Sequence, residues 1–157
     1  MVKILVSECL YGGRTVRYDG ADVPLKTPVF LKWKEEGRLV PVCPEVCGGL
    51  PIPRESAERR GRNVFTGTGK DVTREFRKGA EEALRAARAG NVGFCVMKAN
   101  SPSCGSREIF DGTFTGRKIP GEGLAVELLR EAGFTVFSEC ESAEAADFLS
   151  RLEEPRA

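Results

Sequence analysis

The sequence predicts an α/β fold, in which residues 1–157 form a single domain with a mostly parallel, Rossmann-like sheet of about four to five strands and helices on both faces. Three observations support this prediction. Strand-like and helix-like patterns alternate along the chain. The segment Val92–Met97 is almost continuously apolar, which is typical of a strand buried on both faces of a parallel sheet. A chain of 157 residues is long enough to bury its own core.

The first elements form a strand, a helix and a second strand. The apolar run Lys3–Ser7 predicts a short buried strand. Thr27, followed by Pro28 at the first helical position, predicts a helix that extends to Gly37. The run Leu39–Val42 then predicts the second strand. A crossover helix between two such strands implies that they pair in parallel.

The middle of the chain alternates loops with one long helix. Residues 43–54 are rich in proline and glycine, and they predict a shaped loop rather than a helix. Residues 55–69 are polar and glycine-containing, which predicts irregular structure. Asp71 is placed to cap a long amphipathic helix, and Gly90 is placed to end it. The apolar strand at residues 92–97 follows.

The last third repeats the strand and helix pattern. Residues 109–114 predict a small hairpin around Asp111 and Gly112. A helix over residues 123–132 and a strand over residues 134–137 follow. Ser142 is then placed to cap a final helix.

Composition limits the classes of function. The net charge of +1, from 24 basic and 23 acidic residues, does not favour DNA or an anionic membrane as a partner. No apolar run reaches the roughly 20 residues that span a bilayer, and none near the start resembles a signal peptide. We therefore expect a cytoplasmic protein that acts on a small molecule. The sequence does not indicate an oligomeric state.

Six cysteines and no histidine define the available chemistry. In a reducing compartment cysteines serve as metal ligands, catalytic thiols or buried apolar side chains rather than disulfides. The absence of histidine excludes imidazole bases and every zinc motif that needs one. Proton transfer must then depend on Glu, Asp, Lys, Tyr, Ser, Cys or water.

Three of the cysteines follow predicted strands: Cys9 the first, Cys43 the second and Cys104 the third. In open parallel sheets the carboxyl ends of the strands share one edge, where ligands bind. The separations along the chain are too long for a ferredoxin motif or a zinc ribbon, so the topology must gather these thiols. They alone leave several possibilities open: an iron–sulfur cluster with one open iron, a zinc site, a lone catalytic thiol, or unrelated cysteines.

Several unusual blocks appear in a recognisable order. The sequence resembles the TudS-like thiouracil desulfidases, much of which was long described as a bacterial domain of unknown function. The blocks that carry the resemblance are Ser7-Glu8-Cys9-Leu10, Val16-Arg17-Tyr18-Asp19-Gly20, Pro41-Val42-Cys43-Pro44-Glu45-Val46, Gly48-Gly49-Leu50-Pro51, Lys98, Ser101-Pro102-Ser103-Cys104-Gly105 and Asp111-Gly112-Thr113-Phe114.

The resemblance implies a [4Fe–4S] cluster bound by Cys9, Cys43 and Cys104, with one iron open to the sulfur of a thiolated pyrimidine. It also implies that Glu45 and Ser101 are the catalytic side chains. The expected reaction is hydrolytic and non-redox: thiouracil and water give uracil and sulfide. The substrate would be a thiolated base or nucleotide. Four further residues are expected either to line the substrate pocket or to brace its loops: Arg17, Asp19, Lys98 and Asp111.

Cys47 supplies an alternative, because it lies two residues beyond Glu45. As a fourth ligand it would block the open iron, and the protein would then be a non-enzymatic redox or metal-sensing module that binds an iron–sulfur cluster or zinc. Cys47 can otherwise point into the core. Cys95 and Cys140 are expected to be buried apolar side chains.

Two simpler interpretations concern charged residues. Glu45 has a structural alternative, either as a helix cap or in an ion pair with an arginine. An arginine-rich stretch is expected to be a solvated loop, with a phosphate clamp as the functional alternative. Its members are Arg54, Arg59, Arg60 and Arg62.

Overall fold

Strands and helices are interspersed along the chain, and helices separate the strands of the main sheet, within the residues 1–155 that the computed structural model describes. The strands in this range are β1 Lys3–Ser7, β2 Leu39–Val42, β3 Ala57–Arg60, β4 Asn63–Thr66, β5 Val92–Met97, β6 Glu108–Phe110, β7 Lys118–Pro120 and β8 Val136–Ser138. The α-helices in the same range are α1 Glu8–Tyr11, α2 Pro28–Glu35, α3 Pro44–Cys47, α4 Thr73–Ala89, α5 Leu124–Glu131 and α6 Ser142–Glu153. The predicted domain end at residue 157 lies outside the described residues.

The main sheet has the order β2-β1-β5-β8, and every neighbouring pair in it is parallel. The chain first adds β2 on one side of β1 and then crosses to add β5 and β8 on the other side. The direction of winding therefore reverses between β1 and β5. In open α/β sheets this reversal opens a crevice at the carboxyl ends of the strands.

Helices cover both faces of the main sheet, which confirms the predicted fold class. Alternate residues of a strand point to opposite faces, and β1 divides its side chains accordingly. Ile4 and Val6 pack in one buried cluster with residues of α2 and α6. Leu5 packs in the other cluster with residues of α4 and α5. Because β5 contributes buried residues to both clusters, its continuous apolar pattern is explained.

Helix α3 is seated against α4 through two glycines at which the backbones almost touch. A Cβ atom added to Gly79 would lie 1.9 Å from the carbonyl oxygen of Pro44, and one added to Gly48 would lie 2.0 Å from that of Glu75. Only glycine permits this approach. The contact fixes the loop that follows β2, which contains Cys43 and Glu45.

The loop that follows β5 is held by the first turn of α5. The first backbone N–H groups of a helix have no partner within the helix. In α5 three of them donate outside it: Leu124 to the carbonyl of Pro102 at 2.9 Å, and Ala125 and Val126 to that of Ser103 at 3.0 Å and 3.3 Å. Gly123 allows this contact, because a Cβ atom there would lie 2.3 Å from the carbonyl carbon of Ser103.

Two predictions of irregular structure are wrong in detail. Residues 55–69 contain an antiparallel hairpin of β3 and β4, turning at Gly61 with φ of 62°. Val64 of β4 is fully buried in the core, and charged side chains add contacts along the hairpin. For example, the Arg60 guanidinium lies 5.0 Å from the centre of the Phe65 ring. Residues 44–47, predicted as loop, form the short helix α3 because Pro44 occupies its first turn.

Three predicted boundaries also differ. The turn around Asp111 is not a two-residue hairpin, because residues 111–117 separate β6 from β7. Helix α4 begins at Thr73, and Asp71 accepts a hydrogen bond from the Thr73 amide at 2.9 Å. At the last helix the side-chain cap belongs to Ser138, which opens the short 3-10 turn before α6, and Ser142 is already helical.

No helix between residues 1 and 155 combines the length and apolar character required to cross a membrane.

The glycine contact predicts an unusual mutational effect. Inside a helix, a change from glycine to alanine normally stabilises a protein by about 1 kcal/mol. Gly79→Ala should instead lower the free energy of unfolding by about 1–3 kcal/mol, because the new methyl group overpacks the contact with Pro44. Chemical denaturation would measure the change.

Gly67→Ala is the matched control, since its Cβ atom would meet nothing closer than Phe114 at 3.8 Å. A Gly79→Ala protein as stable as the parent would show that the two helices can separate without cost.

Candidate active site

A cavity of about 440 Å³ opens at the carboxyl ends of β1, β2 and β5, beside the reversal in winding. Its volume falls in the range of small-molecule sites. The residues with chemically reactive side chains that line it include Cys9, Cys43, Glu45, Ser101, Ser103 and Cys104. The topology therefore brings together the three cysteines and both catalytic candidates named from the sequence.

Cys9 reaches the cavity because α1 starts directly after β1. Its side chain is partly buried. Burial, and to a smaller extent the neighbouring Cys43 thiol, raise the pKa of Cys9 to about 12, while the nearby Lys98 ammonium opposes the shift. Cys9 is thus a thiol whose charged form is disfavoured until a cation is close to it.

Cys43 is the residue between β2 and α3, and it is buried. Burial also raises the pKa of its thiol, with the Glu45 carboxylate adding to the shift and backbone N–H groups of α3 opposing it. The contact of its sulfur with a protein acceptor is weak, at 4.0 Å from the carbonyl oxygen of Val16. The Cys43 sulfur can therefore serve as a ligand without breaking a strong hydrogen bond.

Cys104 is the most deeply buried of the three. Burial raises the pKa of its thiol well above the ordinary value, hydrogen bonds from Ser7 and Ser103 oppose the shift, and the Cys9 and Cys43 thiols add to it. Cys9, Cys43 and Cys104 all line the same cavity, so the three thiols share one region. Buried neutral thiols gathered beside a cavity are suited to a cationic, sulfur-binding group.

The donor set therefore fits an iron–sulfur cluster, because thiolate is the ligand that such clusters take from proteins. Within residues 1–155, no group of three or more Cys, Asp, Glu or His side chains is arranged around one point for a single metal ion. A cluster differs in that each cysteine binds a different iron atom.

Glu45 has a hydrogen-bonding partner for each carboxylate oxygen. The Arg54 Nε–H donates to Oε1 at 3.1 Å, and the Ser103 hydroxyl donates to Oε2 at 2.9 Å. The side chains of Glu45 and Arg54 are only 17% and 7% exposed. The structural alternative of an ion pair with arginine is present, and it coexists with a place on the cavity wall.

Ser101 is anchored by the backbone of its own loop. Its hydroxyl oxygen accepts hydrogen bonds from the N–H groups of Ser103 and Cys104, both at 3.1 Å. It also lies 2.9 Å from the Ser103 hydroxyl oxygen. Ser101 is thus held at the cavity in a fixed position relative to Cys104.

The four residues considered for substrate binding separate into two pairs. Arg17 and Lys98 line the cavity. Asp19 and Asp111 lie outside its lining and brace loops instead. Asp19 contacts Arg17 at 3.4 Å, and Asp111 accepts a hydrogen bond from the Thr113 amide at 2.9 Å.

Cys47 is exposed, so it does not point into the core, and it is not part of the cavity lining. Cys95 is fully buried in the core, as predicted. Cys140 was predicted to be buried, and this is wrong: it is exposed in the 3-10 turn that follows β8.

The solvated interpretation of the arginine-rich stretch is wrong for two of its members. Arg54 is buried against Glu45. The Arg59 side chain is 15% exposed. It forms an ion pair with the Glu127 carboxylate and donates a hydrogen bond to the carbonyl of Glu122. Their charge is used inside the protein because β3 and the loop before it fold over the site.

The sequence interpretation missed several residues of the cavity wall. The sequence prediction names Ser101 but not Ser103, although both belong to one motif and both line the cavity. Tyr18 and Phe110 supply aromatic surface from distant segments. Tyr18 belongs to the motif Val16-Arg17-Tyr18-Asp19-Gly20, whereas no motif marks Phe110, whose position depends on how the loops close.

The chain is similar to known proteins along most of its length. Residues 4–141 match the family model described as 2-thiouracil desulfurase. The chain is 42% identical over 148 residues to the uncharacterized protein YbbK of Bacillus subtilis strain 168, covering 88% of this chain and 96% of that protein. It is also similar to the solved structure of a [4Fe–4S]-dependent thiouracil desulfidase, TudS, with a TM-score of 0.92 and 47% identity over 96% of this chain and 99% of that one.

The matched region contains every strand of the main sheet and all three loops that form the cavity. The resemblance inferred from short motifs therefore extends to the whole architecture that supports the site. This chain belongs to the 2-thiouracil desulfurase family.

Proposed function

We propose that this protein is a [4Fe–4S]-dependent desulfidase that hydrolyses thiouracil, or a related thiolated pyrimidine base or nucleotide, to uracil and sulfide. The observation that carries the proposal is the convergence of three buried thiols, a carboxylate and a serine on one cavity, in a chain of this family.

Cys9, Cys43 and Cys104 would hold the cluster, which when bound supplies a Lewis-acidic iron with affinity for sulfur. Burial makes the three isolated thiolates unfavourable, so binding a cationic cofactor offsets a cost that is built into the site. With three protein sulfurs, the fourth position is left for a substrate. Cys47 does not fill it, because that residue lies outside the cavity.

Glu45 is the residue best placed to accept a proton from the attacking water. One water is consumed for each substrate: its oxygen becomes the carbonyl oxygen of uracil, and its protons leave with the released sulfur. Arg54 and Ser103 hold the Glu45 carboxylate at the cavity wall, so no rearrangement is needed before proton transfer. Ser101, anchored by two amides, is the second polar group that can orient the ring or carry a proton.

Arg17 and Lys98 are the proposed substrate-binding cations. Both line the cavity, and Lys98 is itself held by Glu139 at 2.6 Å. A carbonyl oxygen of the pyrimidine, or the phosphate of a nucleotide, offers them an acceptor. We also propose that the protein is cytoplasmic and has neither DNA nor a membrane as a partner. Residues 1–157 are proposed to form one domain.

Anaerobic reconstitution with iron and sulfide tests the proposal directly. The loaded protein should release sulfide and form uracil from 2-thiouracil or 4-thiouracil. The reconstituted Glu45→Gln protein serves as the control for sulfide that escapes from the cluster itself. Absence of sulfide release from every thiopyrimidine, with the cluster intact, would refute the activity.

Replacing a cluster ligand should reduce iron content. Cys9→Ala, Cys43→Ala and Cys104→Ala should each bind less iron than the parent, because each removes one of the three buried thiols. Iron analysis and the visible absorption of anaerobically prepared protein measure the loss. Cys47→Ala is the matched control and should keep the parent's iron content.

Loss of iron on Cys47→Ala equal to that of the other three variants would favour a four-thiolate site and the non-enzymatic alternative.

Glu45→Gln should separate binding from chemistry. The amide keeps the size of the side chain but cannot accept the proton, so kcat should fall by about 10²–10⁴-fold, while the iron content stays at the parent value. Steady-state sulfide release and iron analysis on the same sample make the comparison. An active Glu45→Gln enzyme would remove Glu45 from the mechanism.

A further inference from the structure

Ser103 stands between the two proposed catalytic side chains. Its hydroxyl oxygen is 2.9 Å from Glu45 Oε2 and 2.9 Å from the Ser101 hydroxyl oxygen. The residue is 2% exposed, so water does not compete strongly for these contacts. Glu45 belongs to the loop after β2 and Ser101 to the loop after β5, which makes Ser103 the polar link between the two loops.

The donors and acceptors available to each group determine which hydroxyl donates in these two hydrogen bonds. A serine hydroxyl has one proton and two acceptor lone pairs. Ser101 uses its lone pairs for the N–H groups of Ser103 and Cys104, so its own proton is available for the Ser103 oxygen. The proton of Ser103 can reach Glu45 Oε2 at 2.9 Å or Cys104 Sγ at 3.5 Å, and the nearer carboxylate is the stronger acceptor.

The carboxylate is consequently held from two directions. Arg54 binds Oε1, and the Arg54 guanidinium is fixed in turn by the carbonyl of Pro51 at 3.1 Å. Arg54 alone leaves the carboxylate free to rotate about that contact. Ser103 supplies the second contact, at Oε2, which restricts rotation of the carboxylate.

We propose that Ser103 is a positioning residue that orients the Glu45 carboxylate for the reaction and keeps it in register with Ser101. This inference rests on the proposed function. It assigns to Ser103 no contact with the cofactor and no covalent step. Its effect is exerted through Glu45, and misplacing a catalytic group by about 1 Å can cost about 10²-fold in rate.

Ser103→Ala in the reconstituted holoenzyme is the first test. We expect kcat to fall by about 10-fold or more, with KM and iron content close to the parent values, because neither substrate binding nor cluster ligation is removed. Ser103→Thr restores a hydroxyl and should recover most of kcat. Full kcat in Ser103→Ala would overturn the proposal.

Ser106→Ala is the matched control within the same segment. The Ser106 hydroxyl is also buried, but it has no hydrogen-bond partner among residues 1–155. Its removal should leave kcat unchanged. An equal loss in Ser106→Ala and Ser103→Ala, or loss of iron in Ser103→Ala, would assign the effect to general disruption of the loop and refute a positioning role.

A double-mutant comparison shows whether Ser103 acts through Glu45. If it does, adding Ser103→Ala to Glu45→Gln should lower the residual rate by less than about twofold, because residues that act as one unit are not additive. A full second loss in the double variant would mean that Ser103 contributes independently of Glu45, which contradicts the proposal.

A crystal structure of the Ser103→Ala protein gives a measurement that does not depend on turnover. The Glu45 carboxylate should leave the position in which Oε2 faced residue 103, while Arg54 and the three cysteines stay in place. An unmoved carboxylate would refute the proposal even if kcat falls. Should the parent release no sulfide from thiopyrimidines, the proposed function fails, and this structure still decides whether Ser103 holds Glu45.

Discussion

The site depends on close contacts between backbone segments that only glycine permits. Gly48 and Gly79 let α3 lie directly against α4, and Gly123 lets the first turn of α5 receive the carbonyls of the loop after β5. Main-chain contacts of this kind have little rotational freedom, because no flexible side chain intervenes. Two of the three cysteine loops are therefore fixed by the helices that also cover the main sheet. The geometry of the cavity is thus linked to the packing of the core.

Burial gives the cysteines of this chain their different characters. Cys95 lies in the apolar core, where burial raises the pKa of its thiol to about 12. Cys9, Cys43 and Cys104 are also disfavoured as thiolates, yet they border a cavity and influence one another. The cost of ionising buried sulfurs falls when a cation binds them. The exposed Cys47 and Cys140 have no such arrangement.

Without histidine, the site relies on oxygen groups that are held in place by their neighbours. Glu45 is fixed by Arg54 and Ser103, and Ser101 by two backbone amides. Each of these contacts removes conformational freedom before substrate arrives, which is how preorganised sites lower a barrier. One of these contacts, from Ser103 to Glu45, also joins the loop after β5 to α3, which follows β2. The positions of the proposed catalytic groups therefore depend on the structure of the loops that carry them.

Local sequence determined the alternation of strands and helices, the doubly covered β5 and the three cysteines at strand ends, because periodicity, caps and apolar runs are properties of neighbouring residues. The family motifs marked Glu45 and Ser101 in the same way. Other features depended on tertiary structure. The hairpin of β3 and β4 pairs the charged segment Ala57–Arg60, which has no apolar alternation, with a strand whose Val64 is buried in the core. The sequence predicts that Arg54 is solvated, but the loop before β3 places its side chain against Glu45 in the folded protein. That Arg17 lines the cavity while Asp19 does not, and that Ser103 bonds Glu45, were likewise decided by how distant segments of the chain meet, which no local pattern records.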